Sequence, residues 1–347
     1  MWHFYALGGG MGHFARTFSL ARKAAKMGIQ SRILSNSSSV SSLSGSHVHR
    51  LLPDDPAIYI DLIPPQFDKN AIQAATTAWM AAIGADDVFL VDTFPRGLAG
   101  ELPKLLTTIS GLKVFIHRNI CQKYVQCYHL EKMLPAFDLV ILPGEKAPLG
   151  HMAHALTAPW MICDQGELLS RQESRHSLSV PNGNNLPLMV VTGCGNRHEA
   201  ILAAKFASRM HQKLAAMAVI RFASLDIRAI RFAPGISCSP WPLLSVMPGI
   251  DLLVSSGGYN SVHESRYSGT PLLAIPQKRV YDRQADRLLA SEAVSNLDAA
   301  LDLAQKIIAT PASQQNPGSV RKKNGTHEAF NLIMQALKKV SLHTTTI

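Results

Sequence analysis

The chain has 347 residues, of which 47% are hydrophobic and 17% are charged, and its formal net charge is +10. A single hydrophobic core stops growing at roughly 250–300 residues, so the length favours two domains. The ordinary apolar content and low charge exclude a largely disordered chain. Residues 1–164 contain 14 basic and 12 acidic side chains, whereas 165–347 contain 20 and 12. The basic excess of the second half indicates either a solvated face or an anionic partner.

The elements begin with an apolar strand, Trp2–Leu7, which runs into a glycine-rich turn and a helix through Met27. Gly28 ends this helix, and Ile29–Leu34 is the next predicted strand. Strand, glycine turn, helix and strand make a βαβ unit with a parallel sheet. Further predicted strands are Val88–Val91, Lys113–Ile116 and Asp138–Leu142. The predicted helices between them are Leu98–Ile109 and Gln122–Met133.

A polar segment, 164–185, ends in a Pro-Asn-Gly turn and is the predicted linker. The first pattern then starts again with a strand, a second glycine turn and a helix. The second glycine turn is Gly193–Asn196. The predicted strands are Leu186–Val191, Met217–Arg221, Arg228–Phe232, Asp251–Ser255 and Leu272–Ile275. The predicted helices are His198–Gln212, Trp241–Met247, Arg283–Glu292 and His327–Val340. We therefore expect an α/β chain of two Rossmann-like, doubly wound domains, 1–163 and 186–347, that face each other across a cleft. The last helix is free to pack back on the first domain.

Cysteine usage and the N-terminus bear on the compartment. Five cysteines in a chain of this length, with no C-x-x-C pair, predict neither a disulfide framework nor a zinc site. No signal peptide is predicted, and no run approaches the roughly 18 apolar residues of a membrane span. We expect a cytoplasmic protein, with peripheral contact at the inner face of the membrane left open.

The first glycine turn, Gly8–His13, lies where a phosphate or a sugar can approach the backbone. Gly10–Ala15 fits G-x-G-x-x-A, a dinucleotide-binding pattern. A nicotinamide enzyme also needs an acidic residue after the second strand, where this chain has Leu34-Ser35-Asn36, which disfavours NAD. His13, beside a positive helix end, is either a general base or a capping histidine. Arg16, one turn on, either holds an anion or lies in solvent.

The strongest chemical signal follows the predicted strand Asp251–Ser255. Backbone N–H groups and hydrogen-bonding side chains meet there at a helix start, a combination suited to a diphosphate; they belong to Gly257, Gly258, Asn260 and Ser261. Glu264, one turn on, suits the two hydroxyls of a ribose, although an acidic first turn that complements the helix dipole explains the same spacing. The segment Asp282-Arg283-Gln284 suits recognition of sugar hydroxyls.

These motifs resemble a known family. S-S-G-G-Y-N-S-x-x-E, G-T-P-L-L-x-I-P and D-R-Q resemble the donor-binding region of GT-B glycosyltransferases, with the nearest resemblance to the lipid-II-forming N-acetylglucosaminyltransferase-like enzymes of family 28. The N-terminal G-G-x-G-G-H loop of that family is similar to Gly8–His13. The resemblance covers residues 1–30 and 190–292, with a compatible layout elsewhere.

The resemblance implies a glycosyltransferase that moves a sugar, N-acetylglucosamine among the candidates, from a UDP-sugar to an acceptor glycan or lipid-linked glycan. It implies inversion and no metal or other cofactor, and no D-x-D motif occurs. It implies His13 as the base, and Gly10, Gly12 and Arg16 as an acceptor or phosphate loop. The implied donor-binding residues are Gly193, Gly195, Asn196, Gly257, Gly258, Asn260, Ser261, Glu264, Asp282, Arg283 and Gln284.

Two departures keep alternatives open. Met11 replaces a glycine of family 28 and Arg16 replaces a proline, so a lipid-linked muramyl acceptor is not supported. G-x-G-H-x-x-R instead also resembles nucleotide-sugar hydrolases of pseudaminic acid synthesis, which share the fold and activate water with a histidine. A non-catalytic anion- or nucleic-acid-binding protein is the third alternative. Scattered charges and an aromatic content of 7% argue against nucleic acid.

Overall fold

The computed structural model describes residues 1–8, 10–40, 43, 57–193, 195–309 and 323–344. Its first sheet has seven parallel strands in the order β3-β2-β1-β4-β5-β6-β7. These strands are β1 (Trp2–Ala6), β2 (Ser31–Ser35), β3 (Ile58–Leu62), β4 (Val88–Asp92), β5 (Leu112–Ile116), β6 (Leu139–Pro143) and β7 (Ala155–Thr157). The strand order reverses between β1 and β4, and ligands of such sheets bind beyond the carboxyl ends of the strands at this point.

The second sheet repeats this topology with five parallel strands in the order β10-β9-β8-β11-β12. They are β8 (Leu188–Thr192), β9 (Val219–Ala223), β10 (Ser237–Cys238), β11 (Leu252–Ser255) and β12 (Leu272–Ala274). Its order reverses between β8 and β11. The central strands of both sheets are continuous apolar runs because helices cover them on both faces.

The helices alternate with the strands along the chain. They are α1 (Met11–Lys26), α2 (Lys69–Met80), α3 (Leu102–Leu105), α4 (Gln122–Cys127), α5 (Leu130–Met133), α6 (Arg171–Ser177), α7 (Arg197–Leu214), α8 (Ile227–Ile230), α9 (Leu243–Val246), α10 (Tyr259–Ser268), α11 (Leu297–Ala309) and α12 (Gly325–Thr344). Within the described ranges, none of them is long and apolar enough to cross a membrane.

One hydrophobic core connects the two sheets. It contains Phe14 on α1, Val190 on β8 and Leu244 on α9, all fully or almost fully buried. The last helix belongs to it, since α12 packs against α1 and against β5, β6 and β7. The aromatic rings of Trp2 and Phe330 lie 5.3 Å apart at this contact. The final helix of the chain therefore packs on the first sheet, and the domain boundaries given above stay a prediction.

The predicted α/β class is confirmed, but two predicted elements are wrong. Residues 228–232 do not form a strand, because Asp226 accepts a hydrogen bond from the N–H of Arg228 at 2.9 Å and starts α8 instead. Residues 283–292 form only a short 3-10 turn at Ala285–Arg287. There, Arg266 binds the carbonyl oxygen of Arg287 and the carboxylate of Glu292, and these contacts hold the segment out of a helix.

Two other predicted helices are shorter than expected. The helix predicted over 122–133 is split into α4 and α5, because His129 adopts a left-handed backbone with φ of 49°. The helix predicted over 98–109 shrinks to α3 followed by a 3-10 turn, Leu106–Thr108.

Candidate active site

The first sheet brings His13 and Asp92 together at its switch point. β1, which leads into the first glycine turn, is the parallel neighbour of β4, and Asp92 is the last residue of β4. Nδ1 of His13 lies 2.5 Å from Oδ2 of Asp92. Because an ionised carboxylate only accepts hydrogen bonds, His13 donates from Nδ1. Its Nε2 has no hydrogen bond to the described residues, so the free nitrogen can accept a proton.

The first glycine turn makes room for this histidine. A Cβ atom on Gly8 would lie 2.3 Å from Nε2 of His13, so only glycine fits beneath the ring. Gly10 has φ of 95° and precedes the first turn of α1, while a Cβ on Gly12 would have nothing within 4 Å. Gly9 lies outside the described residues. The turn therefore serves to seat an imidazole as well as to expose backbone.

Arg16 neutralises the buried Asp92. Its Nε donates to Oδ1 at 2.7 Å and its Nη2 donates to Oδ2 at 2.6 Å, and neither side chain is exposed. Burial alone would raise the pKa of Asp92. Arg16 and His13 outweigh this effect and hold the pKa well below its usual range. Arg16 thus does not lie in solvent. It keeps charged the carboxylate that orients His13.

The backbone after Asp92 is strained. Thr93 has φ of 68°, a left-handed conformation that β-branched residues rarely adopt. The N–H of Phe94 donates to the carbonyl oxygen of Asp92 at 2.8 Å and closes a three-residue turn. This turn places the Phe94 ring 5.3 Å from the His13 ring. Strain of this kind costs about 1–3 kcal/mol and concentrates at functional sites, which supports a functional role for the His13–Asp92 pair.

The predicted diphosphate cradle lies between β11 and α10. Gly257 has φ of 73°, and a Cβ on Gly258 would have nothing within 4 Å, so the space beside the start of α10 is open. The side chains of Asn260 and Ser261 make no hydrogen bond to any part of the chain that the structure describes. A helix N-terminus with unused hydrogen-bonding groups is suited to an anion.

Glu264 lies half-buried one turn into α10. Burial raises the pKa of Glu264 to about 7. No group among the described residues donates a hydrogen bond to this carboxylate. A half-buried carboxylate that accepts no hydrogen bond from the chain is open to a ligand that donates hydrogen bonds.

The two glycine turns face each other. A Cβ on Gly10 would lie 3.6 Å from the carbonyl oxygen of Gly195. Gly193 lies against the ring of Phe222, where a Cβ would come within 2.4 Å. The Asn196 side chain caps α7 by accepting from the N–H of Glu199 at 3.0 Å. Cys194 lies outside the described residues.

The three residues 282–284 have different surroundings. Oδ1 of Asp282 accepts a hydrogen bond from Arg287 at 2.7 Å, and its backbone pairs with that of Ile120 in the first sheet's half of the molecule. Gln284 is buried and accepts from the N–H of Gln277 at 2.9 Å, which closes the loop between them. The Arg283 side chain is 46% exposed and lies 3.3 Å from Asp286. Asp282 is therefore the one of the three whose side chain joins the ion pairs with Arg287 and Arg118.

Tyr259 connects this region with His13. It is the first residue of α10, and its hydroxyl donates to the carbonyl oxygen of Pro143 at 2.9 Å and accepts from the N–H of Trp160 at 3.1 Å. The guanidinium carbon of Arg16 lies 5.0 Å from the centre of the Tyr259 ring. The unit formed by His13, Asp92 and Arg16 thus lies against the start of the helix that carries the predicted cradle.

An ion-pair network, which the sequence analysis did not single out, crosses the same interface. Nε of Arg287 donates to Oε1 of Glu145 at 2.7 Å, and Nε2 of His263 lies 3.2 Å from that oxygen. Burial alone would raise the pKa of Glu145. His263, Arg118 and Arg287 outweigh this effect and hold the pKa well below its usual range. Among the described residues, no group of three or more His, Cys, Asp or Glu side chains is placed to hold a metal ion.

The residues missed at the sequence level share one signal. Asp92 ends β4, Arg118 follows β5 by two residues, and Glu145 follows β6 by two residues. The carboxyl ends of parallel strands meet at one edge of a sheet. Charged residues at the carboxyl ends of three apolar strands are therefore a signal of this site that the sequence itself contains.

Comparisons with known proteins bear on the fold. No family model matches the chain, and no curated protein matches it. The chain is similar to the solved glycotransferase of kitacinnamycin, with 15% identity, a TM-score of 0.56 and coverage of 97% of this chain and 98% of that one. It is also similar to glycosyltransferase VinC in complex with dTDP, with 13% identity, a TM-score of 0.54 and coverage of 97% and 99%.

A third similar structure is a Listeria monocytogenes protein assigned as a UDP-N-acetylglucosamine 2-epimerase. Its identity is 11% and its TM-score 0.62, and the match covers 96% of this chain and 94% of that one. At such identities the similarity concerns the fold alone. The predicted GT-B fold is confirmed.

Asp92→Asn tests the buried pair. The substitution keeps the shape but leaves the Arg16 guanidinium buried without its counter-charge, which should cost about 3–5 kcal/mol of unfolding free energy. The contribution of Asp92 to the free energy of unfolding should be fully present above about pH 4, which is near the usual pKa of an Asp in an unfolded chain. It should be lost as the pH falls toward the lower pKa that Asp92 has in the folded protein. Urea unfolding at pH 7 measures the loss.

Asp61→Asn is the matched control. Asp61 accepts from Arg32 at 2.6 Å, but both side chains are about one third exposed, so this change should cost about 1 kcal/mol or less. Equal losses for the two variants would contradict the assignment of Asp92 as a buried charge that depends on Arg16.

Proposed function

We propose that the chain is a glycosyltransferase that holds a nucleoside-diphosphate sugar between its two sheets and activates an acceptor hydroxyl with His13. The observation that carries the proposal is the position of the His13–Asp92 pair, whose partner Arg16 lies against Tyr259 at the start of α10. A proton acceptor and a helix start suited to a diphosphate thereby border the same cleft. Transfer between these two sites needs both of them.

The proposed reaction is a direct displacement. The acceptor hydroxyl gives its proton to Nε2 of His13 while its oxygen forms a bond to the anomeric carbon of the sugar. The bond between that carbon and the diphosphate oxygen breaks, and the nucleoside diphosphate leaves with the electron pair. Attack opposite the leaving group inverts the anomeric carbon. The charge of Asp92 stabilises the imidazolium that forms.

The donor end of the cleft supports a diphosphate and a ribose. Gly258, Asn260 and Ser261 offer donors to the phosphate oxygens, whereas the N–H of Gly257 already donates to Oγ of Ser255 at 3.1 Å. The helix dipole of α10 adds to their effect without a metal. The carboxylate of Glu264 is suited to accept both hydrogen bonds of a ribose diol. We propose a UDP-sugar as donor, with N-acetylglucosamine the first sugar to test. VinC was solved with dTDP, so dTDP-sugars belong in the same panel.

A nucleotide-sugar hydrolase is the second candidate. It is favoured by the enclosure of His13, which is 9% exposed and packs against Phe94 at 5.3 Å between ring centroids. Water fits such a space more readily than a glycan does. In this reaction water gives its proton to His13, and the products are free sugar and nucleoside diphosphate.

A panel of nucleotide sugars tests the proposal. Wild-type protein should unfold at a higher temperature in the presence of UDP, dTDP or GDP, because a ligand that binds only the folded state stabilises it. His13→Ala should keep that shift in unfolding temperature. Its rate of nucleoside diphosphate release from the nucleotide sugar should fall by roughly 10²-fold or more. Absence of a shift with every nucleotide would contradict the proposal. Free sugar formed without acceptor would identify the hydrolase, and loss of nucleotide binding by His13→Ala would make His13 structural.

The raised pKa of Glu264 predicts how nucleotide affinity depends on pH. Ribose hydroxyls donate to the ionised carboxylate, so binding should release a proton and tighten as the pH rises through about 7. Affinity for UDP should fall by up to about tenfold per pH unit below this value. Calorimetry in buffers of different ionisation enthalpy measures the proton. Glu264→Gln should bind UDP more weakly with a flat pH profile, and an unchanged profile in that variant would contradict the role of Glu264.

A further inference from the structure

Two of the three guanidinium nitrogens of the buried Arg118 make no hydrogen bond to the described residues. The residue is 8% exposed, and the two nitrogens are Nε and Nη2. Nη2 lies 3.7 Å from a carboxylate oxygen of Glu145 and 3.7 Å from one of Asp282, beyond the distance of a charged hydrogen bond. Buried polar groups in folded proteins are almost always hydrogen-bonded, so the exception calls for an explanation.

The neighbouring arginines each hold a carboxylate through short hydrogen bonds, which Arg118 does not, although Nη1 of Arg16 also has no partner among the described residues. Arg16 makes two hydrogen bonds to Asp92, of 2.7 and 2.6 Å. Arg287 bonds to Asp282 and to Glu145, each at 2.7 Å. The protein carboxylates at this interface are thus held by other arginines, and the guanidinium of Arg118 is left for a group that the chain does not supply.

The position of Arg118 indicates what that group is. Arg118 follows β5 on the first sheet, yet its guanidinium carbon lies 4.5 Å from the centre of the Tyr259 ring. Tyr259 opens α10, directly after Gly257 and Gly258. Arg118 therefore reaches across the interface to the helix N-terminus that is suited to a diphosphate. Its planar fork of N–H donors matches two phosphate oxygens.

We infer that Arg118 is the residue through which the first half of the molecule binds the diphosphate of the nucleotide sugar. The inference rests on the proposed function and adds a residue and a reason for the two halves to meet. The second sheet holds the nucleotide, and Arg118 reaches its phosphates only with the two sheets together. Its positive charge is then in place for the negative charge that develops on the leaving diphosphate.

The test separates a ligand contact from a structural ion pair. Arg118→Met removes the charge and keeps an unbranched side chain, and Arg118→Lys keeps the charge without the fork. Arg228→Met is the control, since Arg228 is exposed and has no ion pair among the described residues. Thermal unfolding without ligand is measured first, followed by the affinities for UDP and for uridine.

We expect Arg118→Met without ligand to lose little stability, because Nε and Nη2 of Arg118 make no hydrogen bond to the described residues and the two carboxylates at 3.7 Å keep their bonds to Arg287. Its affinity for UDP should fall about 10- to 100-fold, as for the loss of a charged hydrogen bond, with uridine affinity changed by less than about twofold. The UDP affinity of Arg118→Lys should lie between those of the wild type and Arg118→Met. Arg228→Met should bind UDP with the affinity of the wild type.

Two results would overturn the inference while leaving the proposed function intact. One is an unchanged ratio of UDP to uridine affinity in Arg118→Met. The other is a marked loss of stability of the ligand-free variant, or its failure to fold, which would give Arg118 a structural role. If the wild type binds no nucleotide at all, the proposed function fails and this inference fails with it.

Discussion

The candidate site depends on one buried carboxylate. Asp92 ends a strand in the middle of the first sheet, where no water can solvate its charge, so the chain must supply the counter-charge itself. Arg16 does so from α1, the helix that follows the neighbouring strand β1, and Oδ2 of Asp92 also accepts a hydrogen bond from Nδ1 of His13. The orientation of the imidazole therefore follows from the need to keep a buried charge neutralised.

The same requirement shapes the contact between the two sheets. Glu145 and Asp282 share Arg287, and Tyr259 is anchored to the backbone of Pro143. A buried network of this kind adds little stability over an apolar interface, but it fixes geometry. Here it sets the start of α10 against the carboxyl ends of β4, β5 and β6. The strained turn at Thr93 depends on the same contacts, because they hold a backbone conformation that costs energy.

The sequence was sufficient for the fold and for the position of the helix that carries the predicted cradle. Apolar strands, glycine turns and helices in alternation predict a doubly wound sheet, and the S-S-G-G-Y-N-S motif marks the start of α10. The partners of His13 could not be assigned in the same way, because Asp92 lies 79 positions away and only strand pairing brings the two together. The predicted helix over 283–292 failed for a related reason: Arg266, distant in sequence, binds the carbonyl oxygen of Arg287 that a helix would use.

The most direct test of this account is the protonation pattern of the His13 ring, measured by nitrogen-15 NMR of histidine-labelled protein. In a neutral imidazole the nitrogen-15 shifts report which of the two nitrogens carries the single ring proton. The account predicts that His13 carries this proton on Nδ1, in its bond to Asp92, with Nε2 unprotonated. A proton on Nε2, or an even mixture of the two tautomers, would contradict the account.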